Sequence, residues 1–170
     1  TVVDNQDPYV TCPTSVTQTA DAGVCTAAVV VDVPVVSDNC GVASVVNNFN
    51  GTADASDVYP VGTTTILWTI TDIYGNVSTC TMTVTVSDDE NPSITCPSDI
   101  TVSNDVNACD ADVVVPAPVV DDNCAVASVI NDYNGTANAS DNYPVGTTTI
   151  IWTVTDIHGN SSQCSMTVTV

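Results

Sequence analysis

Cys12, Cys25, Cys40 and Cys80 recur as Cys96, Cys109, Cys124 and Cys164, each 84 residues after its counterpart. At that offset the chain overlays itself without a gap, and turn residues, tryptophans and acidic clusters coincide. A repeat of this kind means two tandem copies of one domain, 1–87 and 88–170. Thr1-Val2 falls where Thr85-Val86 and Thr169-Val170 end a last strand. Residues 1–3 are therefore expected to be the tail of a preceding repeat, and the chain a window onto a longer array. Eight cysteines with no Cys-x-x-Cys pair point to disulfides rather than a zinc site, and so to an oxidising, extracellular setting.

Charge removes most functional classes. The 170 residues carry 20 acidic side chains, no Lys or Arg and one His, a formal charge of −20. Such a chain cannot neutralise phosphates, so a nucleic-acid partner is excluded. A basic membrane-surface patch, an arginine-clamped phosphoryl site and any lysine-derived covalent link are equally unavailable. No apolar run approaches the roughly 18 residues that span a membrane, so membrane insertion is not expected. Hydrophobic residues at 44% nevertheless place the chain among folded proteins.

Its many Val and Thr favour strands. Pro8 to Thr19 predicts a first strand interrupted at Cys12-Pro13, followed by a turn at Ala20 to Val24. Ala27, Val29, Val31 and Val33 alternate with a set that turns polar or becomes proline in the second copy, so the odd-numbered face is the expected core. A weaker strand is expected near Val42 to Val46, then a long polar loop from Asn47 to Tyr59. Ile66, Trp68 and Ile70, and Met82, Val84 and Val86, mark the inward faces of two strong strands joined at Gly75-Asn76. About seven short strands per copy predict an all-β chain of two tandem immunoglobulin-like antiparallel β-sandwiches.

Several motifs occur in a fixed order: Pro-x-Ile-x-Cys-Pro (Pro92 to Pro97), Asp-Asn-Cys (38–40 and 122–124), Tyr-Pro-Val-Gly-Thr (59–63 and 143–147) and Thr-Asp-x-x-Gly-Asn (71–76 and 155–160). Each copy ends in Cys-x-Met-x-Val-x-Val, at 80–86 and 164–170. This order resembles that of tandem HYR (hyalin repeat) domains over essentially the whole chain. Trp68 and Trp152 stand where another aromatic is more usual, and Met82 and Met166 where Phe is. The resemblance implies an immunoglobulin-like fold, an extracellular place in adhesion or matrix, long arrays on bacterial surface proteins, and a role for calcium.

In such a sandwich the start of the first strand, the end of the second and the turn before the last share one tip. That gathers Asp4, Asp7, Asp38, Asn39, Asp72 and Asn76 in the first repeat. In the second it gathers Asp88, Asp89, Glu90, Asn91, Asp121, Asp122, Asn123, Asp156 and Asn160. Carboxylates, side-chain amides and backbone carbonyls are the ligands a calcium ion takes in sets of six to eight. Asp and Asn are also ordinary turn residues, which is the competing account. Asp21 and Asp57, with Asp105 and Asp141 in the second copy, lie at the opposite tip and would face the next linker. An ion bridging domains is the corresponding expectation.

The same geometry puts Cys12 and Cys80 on neighbouring parallel strands. It favours Cys12–Cys80 with Cys25–Cys40, and Cys96–Cys164 with Cys109–Cys124; Cys12–Cys40 with Cys25–Cys80 is the alternative. Sequons fall at Asn50, Asn134 and Asn138 in the long loop, and at Asn76 and Asn160 in the candidate metal turn. His158 has no repeated nucleophile beside it, paired carboxylates recur without a cleft, and the tryptophans keep phase with core residues. No enzyme is expected. The functional expectation is a structural extracellular module, calcium-stiffened and disulfide-stapled, in a stalk, adhesin or filament whose partners are further copies of the repeat. The alternative is a ligand-binding adhesion module that recognises a protein or glycan through its end loops.

Overall fold

The structure, a computed structural model, describes residues 3–170. Thr1 and Val2 of the expected preceding tail lie outside the described residues, and Val3 is exposed and in no strand. The chain divides into two compact units, Thr1–Asp88 and Asp89–Val170.

The first unit contains β1 (Tyr9–Thr11), β2 (Val16–Thr19), β3 (Thr26–Val29), β4 (Val35–Ser37), β5 (Val42–Asn47), β6 (Asp57–Pro60), β7 (Gly62–Asp72) and β8 (Val77–Ser87). Four strands form one sheet in the order β2-β8-β7-β5, while β1 pairs with β4 and β3 with β6. The long hairpin of β7 and β8 runs in register from Gly62↔Val86 to Thr71↔Val77. Period-2 alternation along it sends Ile66, Trp68, Ile70, Met82, Val84 and Val86 inward. There they pack with Ala27, Val29 and Val31 and with Tyr59 from the facing strands.

The first predicted strand does break at Cys12-Pro13, and its halves serve different partners. β1 pairs antiparallel with β4, and β2 pairs parallel with β8, from Val16↔Val84 to Thr19↔Ser87. The missing N–H of Pro13 lies in the switch between them, where no ladder needs it.

The second unit repeats this plan with β9 (Ser93–Thr95), β10 (Ile100–Thr101), β11 (Asp110–Val113), β12 (Val119–Asp121), β13 (Val126–Asn131), β14 (Asp141–Pro144), β15 (Thr147–Asp156) and β16 (Ser161–Thr169). The sheet order is β10-β16-β15-β13, with β9 on β12 and β11 on β14. One backbone position shows the repeat tolerating a change of residue. Gly23 has φ 74° and its counterpart Asn107 has φ 64°, because Asn is among the few residues that enter the left-handed region readily.

Three expectations need correction. The loop from Asn47 to Tyr59 ends in a strand, β6, whose Tyr59 is fully buried opposite Ala27. Val33 is 56% exposed, not core. β3 ends at Val29, the Val31 N–H turns to Ser56 Oγ at 2.9 Å, and Pro34 takes the buried place instead.

The third correction concerns cysteines. Cys12–Cys80 and Cys96–Cys164 are disulfides, each with Cα atoms 5.7 Å apart. Cys25–Cys40 and Cys109–Cys124 are not formed, since Cys40 and Cys109 are exposed free thiols, whereas Cys25 and Cys124 are disulfide-bonded. The carbonyl of Cys25 accepts from Val61, at the start of β7, and the carbonyl of Gly41, next to Cys40, accepts from Ile73, just past its end. Eleven residues of extended strand at about 3.4 Å each separate those ends. A disulfide tolerates roughly 7 Å between Cα atoms, so the pairing cannot be made within one repeat.

Candidate metal centre

Asp72 closes β7 and opens the turn to β8. It is 2% exposed. Its Oδ1 accepts the backbone N–H groups of Tyr74, Gly75 and Asn76 at 2.8, 2.6 and 2.9 Å, and its Oδ2 accepts Asn76 Nδ2 at 2.7 Å. The turn places Gly75 at φ 96°, a conformation that favours glycine. Burial acts to raise the Asp72 carboxyl, but the hydrogen bonds from Asn76, Tyr74 and Gly75 outweigh it and hold the group below the usual carboxylate range.

Asp38 follows β4. Its Oδ1 accepts the N–H groups of Cys40 and Gly41 at 2.9 and 2.8 Å. Asp4 approaches from the segment before β1, where its Oδ1 accepts from Gln6 N–H at 3.1 Å and Asn39 Nδ2 at 3.4 Å. The Cys40 thiol and then the Gln6 N–H keep the Asp4 carboxyl below its ordinary value. The Cys40 thiol is pushed up in return, by that hydrogen bond and the surrounding acids. Asn76 Nδ2 also reaches the Asp4 carbonyl at 3.4 Å, which ties the leading segment to the β7–β8 turn.

One carboxylate oxygen from each of Asp4, Asp38 and Asp72 lies within 4.8 Å of the other two. Asp4 Oδ2 and Asp38 Oδ2 are buried without a hydrogen-bond partner. No Lys or Arg exists in the chain to offset three converging negative charges. Buried carboxylate oxygens without a hydrogen-bond partner, in a group of converging acids, are costly unless a cation joins them. The donor set is carboxylate oxygen, which suits a hard divalent cation such as calcium.

The second repeat reproduces this. Asp156 is 2% exposed and receives His158, Gly159 and Asn160 N–H groups at 2.8, 2.6 and 2.8 Å, with Asn160 Nδ2 at 2.7 Å. Asp122 Oδ2 accepts the N–H groups of Cys124 and Ala125 at 2.9 and 2.8 Å, while its Oδ1 is buried without a hydrogen-bond partner. Carboxylate oxygens of Asp122 and Asp156 lie within 4.8 Å of each other. Asp88 is the repeat counterpart of Asp4 and is the last residue of the first unit.

Not every expected ligand converges. Asp7, Asp89, Glu90, Asn91 and Asp121 are exposed and outside the grouped carboxylates among the described residues. Asn39 and Asn76 donate their amides to the acids, and Asn160 does so to Asp156; Asn123 is half-buried beside Cys124. At the opposite tip Asp21 Oδ2 accepts the Ala28 N–H at 2.9 Å, which pins its own hairpin, and Asp105 does the same for Asp112 at 3.2 Å. Asp57 and Asp141 each accept from the N–H of the residue that follows them.

The long loop also has an organiser that sequence reasoning missed. Asn47 is 3% exposed, donates Nδ2 to Asn50 Oδ1, the Thr52 carbonyl and the Asp54 carbonyl, and accepts the Phe49 and Asn50 N–H groups. Asn131 repeats the pattern with Asn134, Thr136 and Tyr133. Phe49 stacks on Tyr59 at 4.3 Å and Tyr133 on Tyr143 at 4.4 Å, fastening each loop to the core. The sequon residues here, Asn50, Asn134 and Asn138, are all exposed, and Asn134 Nδ2 donates to the Asn138 carbonyl and Asp141 Oδ2. The signal for Asn47 was its place at the end of β5, in phase with an inward strand face.

The geometry so far is that of a small disulfide-bonded β-sandwich repeat with an acidic tip. The HYR domain model matches residues 3–86 and 87–170, so the chain belongs to the HYR domain family. It is also similar to hyalin of Strongylocentrotus purpuratus, 29% identical over 172 residues, which cover 99% of this chain and 14% of that protein. Among solved structures it resembles human protocadherin-24 EC1-2, at 16% identity and TM-score 0.43 over 98% of this chain and 99% of that one. Drosophila N-cadherin EC1-4 gives 10% identity and TM-score 0.43 over 96% and 49%. Family membership and disulfides place the chain outside the cell or at its surface. Among the described residues no helix is long and apolar enough to cross a membrane.

Proposed function

We propose that the chain is a structural segment of an extracellular stalk, adhesin or filament, built from further copies of this repeat and stiffened by calcium at its acidic tips. The observation that carries the reading is the convergence of Asp4, Asp38 and Asp72, with buried oxygens of Asp4 and Asp38 left without hydrogen-bond partners. A bound calcium ion supplies the positive charge the chain lacks. Asp38 and Asp72 hold it from the sandwich and Asp4 from the segment ahead of β1, so the ion would fix that segment to the domain. In the second repeat Asp122 and Asp156 offer the same two carboxylates.

The test is calcium titration with thermal melting, in the wild type and in Asp38→Asn. Binding to the folded state alone stabilises it by about 2.7 kcal/mol at a hundredfold excess over Kd, so Tm rises with ligand concentration. Asp38→Asn keeps the acceptor oxygen for Cys40 and Gly41 while removing one of three like charges. It is expected to melt higher than the wild type in chelator and to lose the part of the calcium response that belongs to the first repeat. A wild type whose Tm is unmoved by millimolar calcium overturns the proposal.

A further inference from the structure

Each repeat carries two cysteines outside its internal disulfide, one at each end of the long hairpin. Cys25 and Cys109 occupy the end where β7 or β15 begins, since their carbonyls accept from Val61 and Val145. Cys40 and Cys124 occupy the other end, beside Gly41 and Ala125, whose carbonyls accept from Ile73 and Ile157. The same two positions differ in redox state between the copies. Cys25 and Cys124 are disulfide-bonded, one of each type, whereas Cys109 and Cys40 are exposed free thiols, again one of each type. A position that is oxidised in one copy and free in its 84-residue counterpart is a disulfide position lacking its partner.

We propose that Cys109 of one copy of this chain forms a disulfide with Cys40 of a second copy, joining chains end to end. The two sites are different surfaces, so the contact is head-to-tail and leaves one of each thiol exposed at the ends of every product; such a contact propagates into a filament instead of closing as a dimer. A small disulfide such as oxidised glutathione serves as oxidant. The Cys109 thiolate attacks its S–S bond, releases one glutathione thiolate and leaves a mixed disulfide. The Cys40 thiolate of the second copy then attacks the Cys109 sulfur and releases the second glutathione, so two protein thiols are oxidised as one glutathione disulfide is reduced to two thiols. The proposal rests on the array reading above, because the partner is another copy of the repeat.

The experiment incubates the purified chain with oxidised glutathione and follows non-reducing electrophoresis, in calcium and in chelator. The wild type is expected to give a ladder of covalent oligomers that collapses to monomer under dithiothreitol. Cys40→Ser alone and Cys109→Ser alone stay monomeric, and an equimolar mixture of the two gives a single dimer. Fragments made with an Asp-directed protease, needed because trypsin has no site, contain Cys40 linked to Cys109. Two results overturn the inference: a wild type that stays monomeric with both thiols still open to alkylation, or a like-with-like dimer from either single variant. Melting curves of the same samples report the calcium response separately, so a lost ladder with an intact response sinks this inference alone, and a ladder without a response sinks the calcium reading alone.

Discussion

Asn76 grips Asp72 twice, through its side-chain amide at 2.7 Å to Oδ2 and its backbone N–H at 2.9 Å to Oδ1. The same pair recurs as Asn160 and Asp156 at 2.7 and 2.8 Å. The grip aims a nearly buried carboxylate at Asp4 and Asp38 and holds it ionised, against the desolvation that burial imposes.

That ionisation sets a pH dependence. Asp72 has a folded value below its ordinary 3.8, so its contribution to stability is full above 3.8 and is lost as pH falls through the lower folded value. The difference in Tm between wild type and Asp72→Asn should therefore be constant near neutrality and shrink below about pH 4, measured from pH 6 to 2. An undiminished difference at pH 2 would mean the carboxylate's charge is not what the hydrogen bonds stabilise.

The disulfide joining Cys12 to Cys80 closes a separation of 68 residues. Replacing both by Ser is expected to cost about 2–5 kcal/mol in chemical denaturation. The same change at Cys96 and Cys164 should cost a similar amount in the second transition, or in a common one if the units melt together.

Trp68 and Trp152 are both fully buried, yet they are not equivalent. Trp68 Nε1 donates to the Ala53 carbonyl at 3.1 Å, while Trp152 Nε1 is buried without a hydrogen-bond partner. Changing either to Phe removes similar packing. The Trp68→Phe variant alone loses a hydrogen bond, so it should be less stable than Trp152→Phe by about 1 kcal/mol, read from urea midpoints.

Asn47→Ala should free the loop it organises. The Phe49 and Asn50 N–H groups lose their acceptor and the Thr52 and Asp54 carbonyls lose one of two donors, at about 1 kcal/mol for each hydrogen bond. Hydrogen exchange over residues 48–56 is the direct measure, with faster exchange expected there and little change along the β7–β8 hairpin.

Much of the fold was legible because its strongest strands obey a period of two without interruption. Ile66, Trp68 and Ile70 announce an inward face that nothing nearby contradicts. β6 was hidden because Asp57-Val58-Tyr59-Pro60 is short and holds an Asp and a Pro, both poor strand formers, so only the pairing with β3 makes it a strand. Val33 kept the alternating pattern after its strand had ended, and periodicity carries no stop signal. The Cys25–Cys40 pairing failed for a related reason. A short gap in sequence conceals that the intervening chain runs the length of the hairpin. At the tip, composition marked the turns whose carboxylates converge together with acids that stay apart: Asp38 and Asp72 are fixed by backbone N–H groups, a geometry that letters alone do not distinguish from the exposed Asp7 or Glu90.

The parallel pairing of β2 with β8, and the Cys12–Cys80 bond beside it, join the opening and closing strands of one repeat. A force pulling on the two ends of that repeat enters through residues before Cys12 and leaves after Cys80, so it passes through the sulfur–sulfur bond rather than the core. The separation of 68 residues, about 230 Å if drawn out at about 3.4 Å each, is held back as length the chain does not yield under tension while the bond is intact. Such a repeat behaves as a rope with a fixed loop in it: until that bond is reduced, load draws out only the segments outside the two cysteines, the second half of β8 among them, and the chain between Cys12 and Cys80 stays closed.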